Sequence, residues 1–417
     1  MKIVLINRYF HPDQSATSRI VSSLAFALAS QGMSVTALAS RSLHDGSGPD
    51  LPAAEQVDGV DIRRLPTTGF GRARIVGRAI DYGTFHAAAA GWLARNVHRG
   101  DICVLCTDPP MLSASAVLPI RLRGGRVVNW IMDLFPEAAT ELGVLPRGAA
   151  SRAALAVRDW SLRRADLTLC PIQAMTEHLT DRLGARSRIA TVHHWTDDAE
   201  IRPVEPAGNR LRAEWGLEGK FVVGYSGNFG RAHEFSTILA AADALRDDER
   251  IRFLMVGAGQ QKAAVEREAR RLALPNLQFQ PFQPVDRLAE SLGAADVHLV
   301  SLRPTLEHCI VPSKLYGILA AGRPAIFIGD PAGEVATVLR TGGCGSAVAP
   351  GDVDGLVQRI RALHENPDAC RQQGRNALAI LRDRFSRDAG VARWRAAVAA
   401  IATEEPALSA PMGGYAT

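Results

Sequence analysis

Cysteine and aromatic residues are scarce in this sequence. Of 417 residues, 6 are cysteine and 6% are aromatic. So few cysteines in a chain of this length do not make a disulfide framework, and Cys103, Cys106 and Cys170 lie in apolar runs where buried thiols are common. Cys103 and Cys106 form a CxxC pair without a second pair, so we expect neither a metal nor a redox site. The simplest compartment is a reducing cytoplasm.

Long apolar segments are also lacking. No stretch reaches the ~18 uninterrupted apolar residues of a membrane span, and the alanine-rich segment 85–94 has the length of a core helix. The opening MKIVLINRYF carries only a short apolar run that leads into a polar loop, so we expect no secretory signal. With 47% hydrophobic and 22% charged residues, the composition is typical of a globular protein.

Lysine is the scarcest charged residue, with only 4 positions against many arginines. The arginines cluster between residues 61 and 166, where they either form a solvated surface or meet anionic lipid headgroups, each contributing on the order of 1 kcal/mol. The region contains no known nucleic-acid-binding motif, which disfavours nucleic acid as a partner. The cluster comprises Arg63, Arg64, Arg72, Arg74, Arg78, Arg121, Arg123, Arg126, Arg147, Arg152, Arg158, Arg163 and Arg164.

Short apolar strands alternate with amphipathic helices along the chain. Because parallel strands need helical crossovers, this alternation predicts an α/β fold of two doubly wound, Rossmann-like sheets facing a central cleft. Ligands in such sheets bind beyond the carboxyl ends of the strands. Strands are predicted at residues 2–6, 34–40, 103–106, 127–132, 167–170 and 189–193, then at 221–227, 253–259, 277–282, 297–302, 324–329 and 346–350.

The alternation lapses between residues 195 and 212, where polar residues and proline predict a linker. We therefore expect one domain over residues 1–200 and a second over residues 213–385. An amphipathic helix over residues 386–403, which carries Trp394, is expected to return to the first domain. Residues 404–417 have the composition of a disordered tail.

The segment at residues 310–329, IVPSKLYGILAAGRPAIFIG, contains the sharpest candidate site. Pro312 suits the first turn of a helix, and free amides at Ser313, Lys314 and Leu315 would face the cleft, where the helix dipole attracts an anion. Lys314 would add a cation there, in a chain that otherwise uses arginine. The alternative is an ordinary strand–helix–strand unit with an exposed lysine.

Two glycine-bearing turns follow strands that end at the same cleft. One contains Gly227, Asn228 and Gly230, and the other contains Gly257 and Gly259. Glycine permits close backbone approach and positive φ, which suits a bound diphosphate. Neither turn is the GxGxxG fingerprint, so a nicotinamide or flavin cofactor is disfavoured, and no cofactor is expected.

Acidic residues occur at two further places. Asp133 and Glu137 follow a strand, where they either reach into the cleft or cap the next helix. Asp352 and Asp354 resemble a DxD metal motif but occupy a turn and a helix start, so we interpret them as caps. No metal site is expected.

These segments together resemble glycosyltransferase family 4, in the branch that acts in bacterial exopolysaccharide and O-antigen assembly, similar to colanic-acid-type transferases. The resemblance covers nearly the whole chain and rests on KIVLINRYFHPDQSATSR, WIMDLFPE, YSGNFGRAHEF, FLMVGAG and VPSKLYGILAAGRPAIFIGD followed by GEVA. It implies the GT-B fold and a metal-independent transferase that usually retains anomeric configuration.

The resemblance also implies partners and a location. The donor would be a UDP- or GDP-linked sugar held by the second domain, and the acceptor a glycan or polyprenyl-linked molecule held by the first. The expected location is the cytoplasm, or the inner face of the cytoplasmic membrane as a peripheral protein on an anionic surface. Two alternatives remain open: a nucleotide-sugar 2-epimerase of the same fold, and a non-catalytic partner protein.

The sequence departs from the family at its paired glutamates, which are separated by seven residues. In this sequence the two corresponding positions are occupied by Cys309 and Gly317, and neither residue is acidic. Glu307 is a candidate to replace the first glutamate, and Glu334 a candidate to replace the second, which binds ribose. The residues that replace the missing pair are not settled by the sequence.

The family's arginine and lysine that grip the diphosphate fall on Asn228 and His233. Arg231, Arg303 and Lys314 are the cations available instead. A leaving diphosphate needs its developing charge stabilised by preorganised cations and amides, which we assign to Lys314, Arg231, Gly227 and the Ser313 and Leu315 amides. The nucleobase of the donor is expected to lie near Phe282. The acceptor is assigned to Gln14, Ser15, Thr17, Asp133 and Glu137, with Asp133 accepting its hydroxyl proton.

Overall fold

The structure is a computed structural model that describes residues 2–46, 50–71, 75–196 and 201–402. Two elements of the sequence analysis, the arginines at 72 and 74 and the tail at 404–417, lie outside these ranges. The strands and helices up to residue 196 form the first half of the molecule. They are β1 Lys2–Ile6, α1 Ala16–Ser30, β2 Ser34–Ser40, β3 Ala54–Val57, β4 Val60–Leu65, α2 Ile75–Asn96, β5 Ile102–Cys106, α3 Leu112–Leu122, β6 Arg126–Trp130, α4 Glu137–Glu141, α5 Ala149–Leu162, β7 Leu167–Cys170, α6 Gln173–Leu183 and β8 Ile189–Thr191.

The second half follows the same alternation of strands and helices. Short 3-10 turns at Val285–Arg287 and Pro304–Leu306 interrupt its loops, and a π turn at Leu381–Phe385 precedes the last helix. Its elements are α7 Arg210–Glu214, β9 Phe221–Ser226, α8 Ser236–Ala244, β10 Ile251–Val256, α9 Lys262–Arg271, β11 Leu277–Gln280, α10 Leu288–Gly293, β12 Val297–Ser301, α11 Lys314–Ala320, β13 Ala325–Ile328, α12 Glu334–Thr341, β14 Gly345–Val348, α13 Val353–Glu365, α14 Pro367–Ile380 and α15 Arg387–Ala402.

The strands form two separate sheets. The first has eight strands in the order β3-β4-β2-β1-β5-β6-β7-β8, and the second has six in the order β11-β10-β9-β12-β13-β14. Except for the β3–β4 pair, the described strand pairs are parallel, as expected for strands joined by helical crossovers. The prediction of two parallel, doubly wound sheets is therefore confirmed.

The sequence analysis missed the hairpin formed by β3 and β4. These strands pair antiparallel around Asp58 and Gly59, whose φ angles are 46° and 81°. Positive φ at both central residues is the requirement of a two-residue hairpin turn, and Asp-Gly satisfies it. β3 has no continuous apolar run that would predict a strand, because its side chains alternate between exposed and partly buried positions at the sheet edge.

The last helix lies on the first sheet, although it follows the second in sequence. Trp394 of α15 packs against Trp130 of β6, with ring centroids 6.2 Å apart, and Trp130 stacks on Trp195 at 5.6 Å. A Cβ at Gly390 would overlap the Trp195 ring, so the absence of a side chain there permits this close packing. The segment after β8 is thus anchored by a buried tryptophan and is less open than its polar composition suggests.

Part of the predicted arginine surface is buried, which corrects the sequence analysis. Arg64 forms an ion pair with Glu55 at 2.5 Å and donates to the carbonyl oxygen of His11 at 2.7 Å. Arg126 and Arg158 are also buried. These three side chains serve the fold of the first half. Among the described residues, the exposed arginines of the predicted surface are Arg63, Arg123, Arg147, Arg152, Arg163 and Arg164.

Candidate active site

The second sheet changes direction at its centre, between β9 and β12. The chain winds outward from β9 through β10 and β11 on one side, and from β12 through β13 and β14 on the other. Loops that follow β9 and β12 therefore separate at the carboxyl edge and leave a crevice between them, which is where doubly wound sheets bind ligands. The predicted glycine turns and Lys314 meet at this edge.

Lys314 begins α11, and its side chain extends back across the carboxyl end of β9. The Nζ atom donates to the Tyr225 hydroxyl oxygen at 2.5 Å and lies 3.8 Å from the centroid of the Tyr225 ring. Burial holds the pKa of Lys314 well below its usual value. Among the described residues, no carboxylate lies within ion-pair distance of this ammonium, so its positive charge has no fixed counter-ion.

The two glycine turns pack directly against each other and against Lys314. A Cβ at Gly227, whose φ is 143°, would lie 3.2 Å from the Lys314 Cε atom. A Cβ at Gly257 would overlap the Gly227 carbonyl oxygen, and one at Gly259 would overlap the Asn228 side chain. The missing side chains let two backbone turns and one lysine share this edge, as the sequence predicted for a close approach of backbone to ligand.

The two positions of the family's diphosphate cations hold no cation here. Asn228 is exposed, and its carbonyl oxygen accepts a hydrogen bond from the Tyr225 hydroxyl at 2.8 Å. His233 is buried and donates from Nδ1 to the Ser301 carbonyl oxygen at 2.5 Å. Burial, together with the nearby charge of Lys314, lowers the pKa of His233 to about 3, so the imidazole is neutral at physiological pH.

The prediction of free amides at Ser313 and Leu315, at the start of α11, is wrong. The Ser313 N–H donates to the Val311 carbonyl oxygen at 2.8 Å, and the Leu315 N–H donates to the Pro312 carbonyl oxygen at 3.0 Å. The chain tightens into a turn before the helix begins, and this turn uses both donors. The anion-binding character of the segment therefore rests on Lys314.

Three other predicted donor residues are exposed around this edge. Arg231 projects from the loop after β9, and Phe282 is 54% exposed after β11. Arg303 follows β12, and its N–H donates to the Ala232 carbonyl oxygen at 2.9 Å. Its side chain lines a groove of about 500 Å³ between α8 and α9, together with His233 and Gln261. Arg303 is thus tied to the loop that carries Gly230, while its side chain lines a neighbouring groove.

Glu307 and Glu334 do not point at a common donor position. The Glu307 carboxylate accepts the Glu334 N–H at 2.9 Å, at the start of α12. Burial, then the charges of Asp330 and Glu334, raise the pKa of Glu307 to about 7. The Glu334 carboxylate itself reaches the first half, where it accepts the Gln173 N–H at 2.7 Å and pairs with His193 at 3.4 Å. Both carboxylates engage helix starts, and Glu334 links the two halves.

The first sheet has its own change of direction, between β1 and β5. Asp133 follows β6 beside this point, and its N–H and that of Met132 approach the Thr107 hydroxyl at 3.4 and 3.1 Å. Asp133 is exposed as a residue, yet desolvation of its carboxyl group, then the charge of Asp108, raise its pKa to about 6. Two carboxyl groups thus lie near each other at this edge, and Asp108 is one that the sequence analysis missed.

A small cavity lies beside Asp133. Its volume is about 40 Å³, and its lining includes Thr107, Ser113, Asn129 and Asp133. The Ser113 hydroxyl and the Asn129 amide nitrogen are buried and have no hydrogen-bond partner in the described part of the chain. A volume of this size holds one or two waters or a single hydroxymethyl group.

Glu137 belongs to a charge network. It pairs with Arg158 at 2.7 Å and with His178 at 3.4 Å, and Arg158 also pairs with Asp159 at 2.8 Å. Burial alone would raise the pKa of Glu137, but hydrogen bonds from His178 and Arg158 and the charge of Arg158 lower it to about 2. A carboxylate held this firmly suits a structural role better than contact with an acceptor.

The loop after β1 reaches the same edge of the first sheet. Buried Asp13 accepts the N–H groups of Ser15 at 2.8 Å and His44 at 2.6 Å, which fixes the loop. Gln14 is exposed, and Thr17 is partly buried in the first turn of α1. These predicted acceptor residues lie at the carboxyl end of β1 and Asp133 beyond that of β6, so they share an edge without a direct contact.

Tyr225 and Asp108 are the residues that sequence reasoning missed. Tyr225 lies inside a strand, where an aromatic residue indicates core packing, and only its pairing with Lys314 reveals another role. Asp108 follows β5 in the sequence TDPP, so its position after a strand was the available signal. Asp352 accepts the Gly355 N–H at 3.0 Å and caps α13, as predicted. In the described ranges, no group of three or more His, Cys, Asp or Glu side chains is placed to hold a metal ion.

Two family descriptions match this chain, one on each half. Residues 15–195 match the glycosyl transferase 4-like domain, and residues 209–379 match glycosyl transferases group 1. The chain belongs to the GT-B glycosyltransferases. The resemblance inferred from the sequence motifs is therefore confirmed.

Two curated relatives of this chain are named as glycosyltransferases. WcaI of Escherichia coli (strain K12), assigned to colanic acid biosynthesis, is 31% identical over 58% of this chain and 60% of its own length. WbjE of Pseudomonas aeruginosa, named as a glycosyltransferase, is 26% identical over 66% of this chain and 68% of its own length. The chain thus spans less than two thirds of WcaI.

Solved structures share the fold over almost the whole chain. Sucrose-phosphate synthase from Thermosynechococcus elongatus superimposes with a TM-score of 0.75 at 19% identity, covering 96% of this chain and 100% of that one. Anabaena HepE in complex with UDP-glucose gives a TM-score of 0.70 at 14% identity, covering 96% and 100%. At these identities the likeness establishes the GT-B fold. No helix in the described part of the chain is long and apolar enough to cross a membrane.

Proposed function

We propose that this glycosyltransferase moves a sugar from a nucleoside-diphosphate sugar to a hydroxyl group of an acceptor in cell-surface polysaccharide synthesis. The observation that carries the proposal is the Lys314 ammonium, which lies against Gly227 at the carboxyl edge of the second sheet. Its partner there is the neutral Tyr225 hydroxyl. A desolvated cation without a fixed counter-ion beside two glycine turns suits an anionic ligand.

The donor half of the reaction follows from this charge. When the bond between the sugar and the diphosphate breaks, negative charge develops on the leaving phosphate oxygens. Lys314 would stabilise that charge, and a preorganised donor of this kind contributes about 3 kcal/mol. Arg231 is exposed on the adjoining loop and would assist when the donor is bound. That HepE, a structural neighbour, binds UDP-glucose supports a nucleotide-sugar donor.

The acceptor half is proposed to use Asp133. With a pKa near 6, its carboxylate is ionised at neutral pH and basic enough to take a hydroxyl proton as the bond to the sugar forms. The cavity lined by Ser113 and Asn129 offers hydrogen bonds to a neighbouring hydroxyl of the same acceptor. Retention of anomeric configuration is part of the proposal and is supported by the family resemblance.

We further propose that the acceptor is linked to a lipid and that the first half meets an anionic membrane surface. Leu118 and Leu122 are 49% and 85% exposed, one turn apart near the end of α3, beside Arg121 and Arg123. Binding to phosphatidylglycerol vesicles should weaken with salt and with the double change Leu118→Ser and Leu122→Ser. Equal binding to phosphatidylcholine vesicles would contradict the electrostatic part. Large exposed hydrophobic side chains of the first half are Phe70, Val76, Ile80, Leu118, Leu122, Val144 and Val157.

Calorimetry on the full chain tests the donor site. UDP, GDP, ADP and TDP are titrated into the wild type and into Lys314→Ala, with Lys220→Ala as the matched control. Lys220 lies just before the opposite end of β9 and donates to the Glu249 carbonyl oxygen at 2.9 Å. We expect one-to-one binding of at least one nucleotide, which Lys314→Ala loses and Lys220→Ala keeps. Absence of binding by the wild type to all four nucleotides would refute the donor assignment.

Product analysis separates transfer from the alternatives. The wild type is incubated with the sugar nucleotide whose nucleotide binds, with and without bacterial membrane lipids as a source of acceptor. Sugar appearing in the lipid fraction supports transfer. An epimerised sugar nucleotide formed without lipids would identify an epimerase, and an unchanged donor in both mixtures would favour a non-catalytic partner.

A further inference from the structure

The buried Tyr225 side chain joins three parts of the donor site. It lies in β9 with no exposed surface. Its hydroxyl accepts a hydrogen bond from Lys314 Nζ at 2.5 Å and donates one to the Asn228 carbonyl oxygen at 2.8 Å. Because Asn228 belongs to the turn between Gly227 and Gly230, a single oxygen atom connects the ammonium to the turn that would face the diphosphate.

The other side of Tyr225 is conventional core packing. Its ring contacts Phe229 and Phe235 edge to face, with centroids 5.2 and 5.1 Å apart. A phenylalanine would fill this space equally well, so packing does not explain the hydroxyl. Burial raises the pKa of Tyr225, so the phenol stays neutral and cannot serve as a counter-ion.

The groups that face Lys314 cannot neutralise its charge. His233 is neutral, and its Nδ1 is committed to the Ser301 carbonyl oxygen. The strand β9 supplies Tyr225, and the turn after it supplies Gly227. With no carboxylate at ion-pair distance among the described residues, the phenol oxygen and the face of the aromatic ring are the groups that favour the charged form of Lys314, against the burial that lowers its pKa.

We propose that Tyr225 is a positioning residue of the donor site, which holds the Lys314 ammonium against the glycine turn. The inference rests on the proposed donor function. The cation positions of the family are filled here by exposed Asn228 and neutral His233. Neither position supplies a cation, so the affinity for a diphosphate depends on Lys314 and on the hydroxyl that holds it.

Tyr225→Phe tests the hydroxyl while keeping the ring. The full-length variant is titrated calorimetrically with UDP, or with the nucleotide that the wild type binds, from pH 6 to pH 9.5. We expect a dissociation constant about 5- to 10-fold higher at pH 7.5, the loss of one hydrogen bond to a charged group. Since Lys314 loses an acceptor that favours its charged form, binding should also fail at a lower pH than in the wild type.

Tyr316→Phe is the matched control. Tyr316 is another buried tyrosine, two residues beyond Lys314 on α11, and it packs against Phe385. This variant should bind as the wild type does at every pH. A melting curve of each variant confirms that it is folded, because a merely structural effect of Tyr225→Phe would lower the melting temperature without moving the pH limit.

A second measurement does not depend on a substitution at Tyr225. Replacing the chain's 5 tyrosines with 3-fluorotyrosine weakens the phenol oxygen as an acceptor and preserves the fold. The pH limit of nucleotide binding should shift downward, and the shift should vanish in the Tyr225→Phe background.

The outcomes separate the inference from the proposed function. If Tyr225→Phe binds the nucleotide with wild-type affinity and pH limit, while Lys314→Ala does not bind, the donor site stands and the inference about Tyr225 is wrong. If the wild type binds none of the four nucleotides, the proposed function fails, and the inference fails with it.

Discussion

The two halves of this glycosyltransferase present the same sheet edge with opposite chemistry. At the centre of the second sheet, two glycine turns surround the Lys314 ammonium, which lacks a fixed counter-ion in the described chain. At the centre of the first sheet, the carboxyl groups of Asp108 and Asp133 lie close enough for one to raise the pKa of the other. One edge suits an anion, and the other suits a group that gives up a proton.

Under the proposed function, this difference would let one fold hold two substrates with different needs. Both edges arise because neighbouring helical crossovers diverge, so the backbone offers the same crevice twice. In the proposed reaction, the side chains would divide the work: one edge would stabilise the diphosphate as it leaves, and the other would deprotonate the acceptor hydroxyl as it attacks. If this division is right, substitutions at the two edges should differ in pH dependence and in the substrate that they affect.

The largest expected effect is that of Lys314→Ala. Removing the cation should lower turnover with saturating donor by about 100- to 1000-fold, because charge on the leaving diphosphate is no longer stabilised. The defect should appear at every pH at which the wild type is active. Steady-state rates of nucleotide release measure it, with Lys220→Ala as control. Wild-type turnover in a folded Lys314→Ala protein would contradict the assignment of Lys314, and with it of the second sheet, to the leaving diphosphate.

Asp133→Asn should have the next largest effect, on the acceptor side. Transfer should fall on the order of 100-fold through loss of the base, while nucleotide binding by calorimetry stays unchanged. In the wild type, the rate should decline as pH falls below about 6, where Asp133 takes up a proton. Asp61→Asn, an exposed carboxylate paired with Arg63, is the control. A wild-type rate that stays constant down to pH 4.5 would contradict the assignment.

Glu307→Gln should change stability more than catalysis. The pKa of Glu307 is raised to about 7, so the protonated form is favoured by folding. Its contribution to the free energy of unfolding is therefore fully present below about pH 4.5 and lost as pH rises through 7. Glutamine keeps the acceptor for the Glu334 N–H and does not ionise.

Urea unfolding at pH 4.5 and pH 8 measures this difference. The variant should be more stable than the wild type at pH 8, by about 1–3 kcal/mol, and similar at pH 4.5. Turnover should change less than threefold. A loss of turnover as large as that of Lys314→Ala would instead place a catalytic carboxylate on the second sheet and break the division of work between the edges.

The smallest expected effect is that of EDTA. The described residues contain no cluster suited to a metal ion, and Lys314 offers a fixed charge for the diphosphate, so activity should persist after chelation. Rates before and after dialysis against EDTA, with magnesium or manganese restored, provide the measurement. Complete loss that a metal restores would contradict a reaction without a metal ion.

Much of the fold was predictable because its strands are buried on both faces. A strand such as β9 or β12 reads as a continuous apolar run, so its existence and order follow from the sequence. The edge strand β3 lacks such a run because one of its faces meets solvent. The turn residues at Gly227 and Gly257 were also recognisable, since their conformations are ones that glycine adopts readily.

The site was predictable only in part, because its contacts join residues distant in sequence. Lys314 stood out through the scarcity of lysine, but its partner Tyr225 lies 89 residues away and looked like core. The donors of Ser313 and Leu315 were consumed by a local turn that no composition signals. Glu334 was assigned to ribose, yet its carboxylate spans to Gln173 in the other half. Tertiary placement decided each of these outcomes.

The return of α15 to the first sheet has a consequence for how the protein is made. Trp394 covers Trp130 and Trp195, so the core of the first half is incomplete until nearly the last residue of the described chain has left the ribosome. The nascent first half must wait through the synthesis of the entire second half with two large indole rings uncovered. A premature stop near residue 385 would therefore release a chain whose second sheet is complete. The first sheet of that chain would leave apolar side chains exposed and would be prone to aggregation.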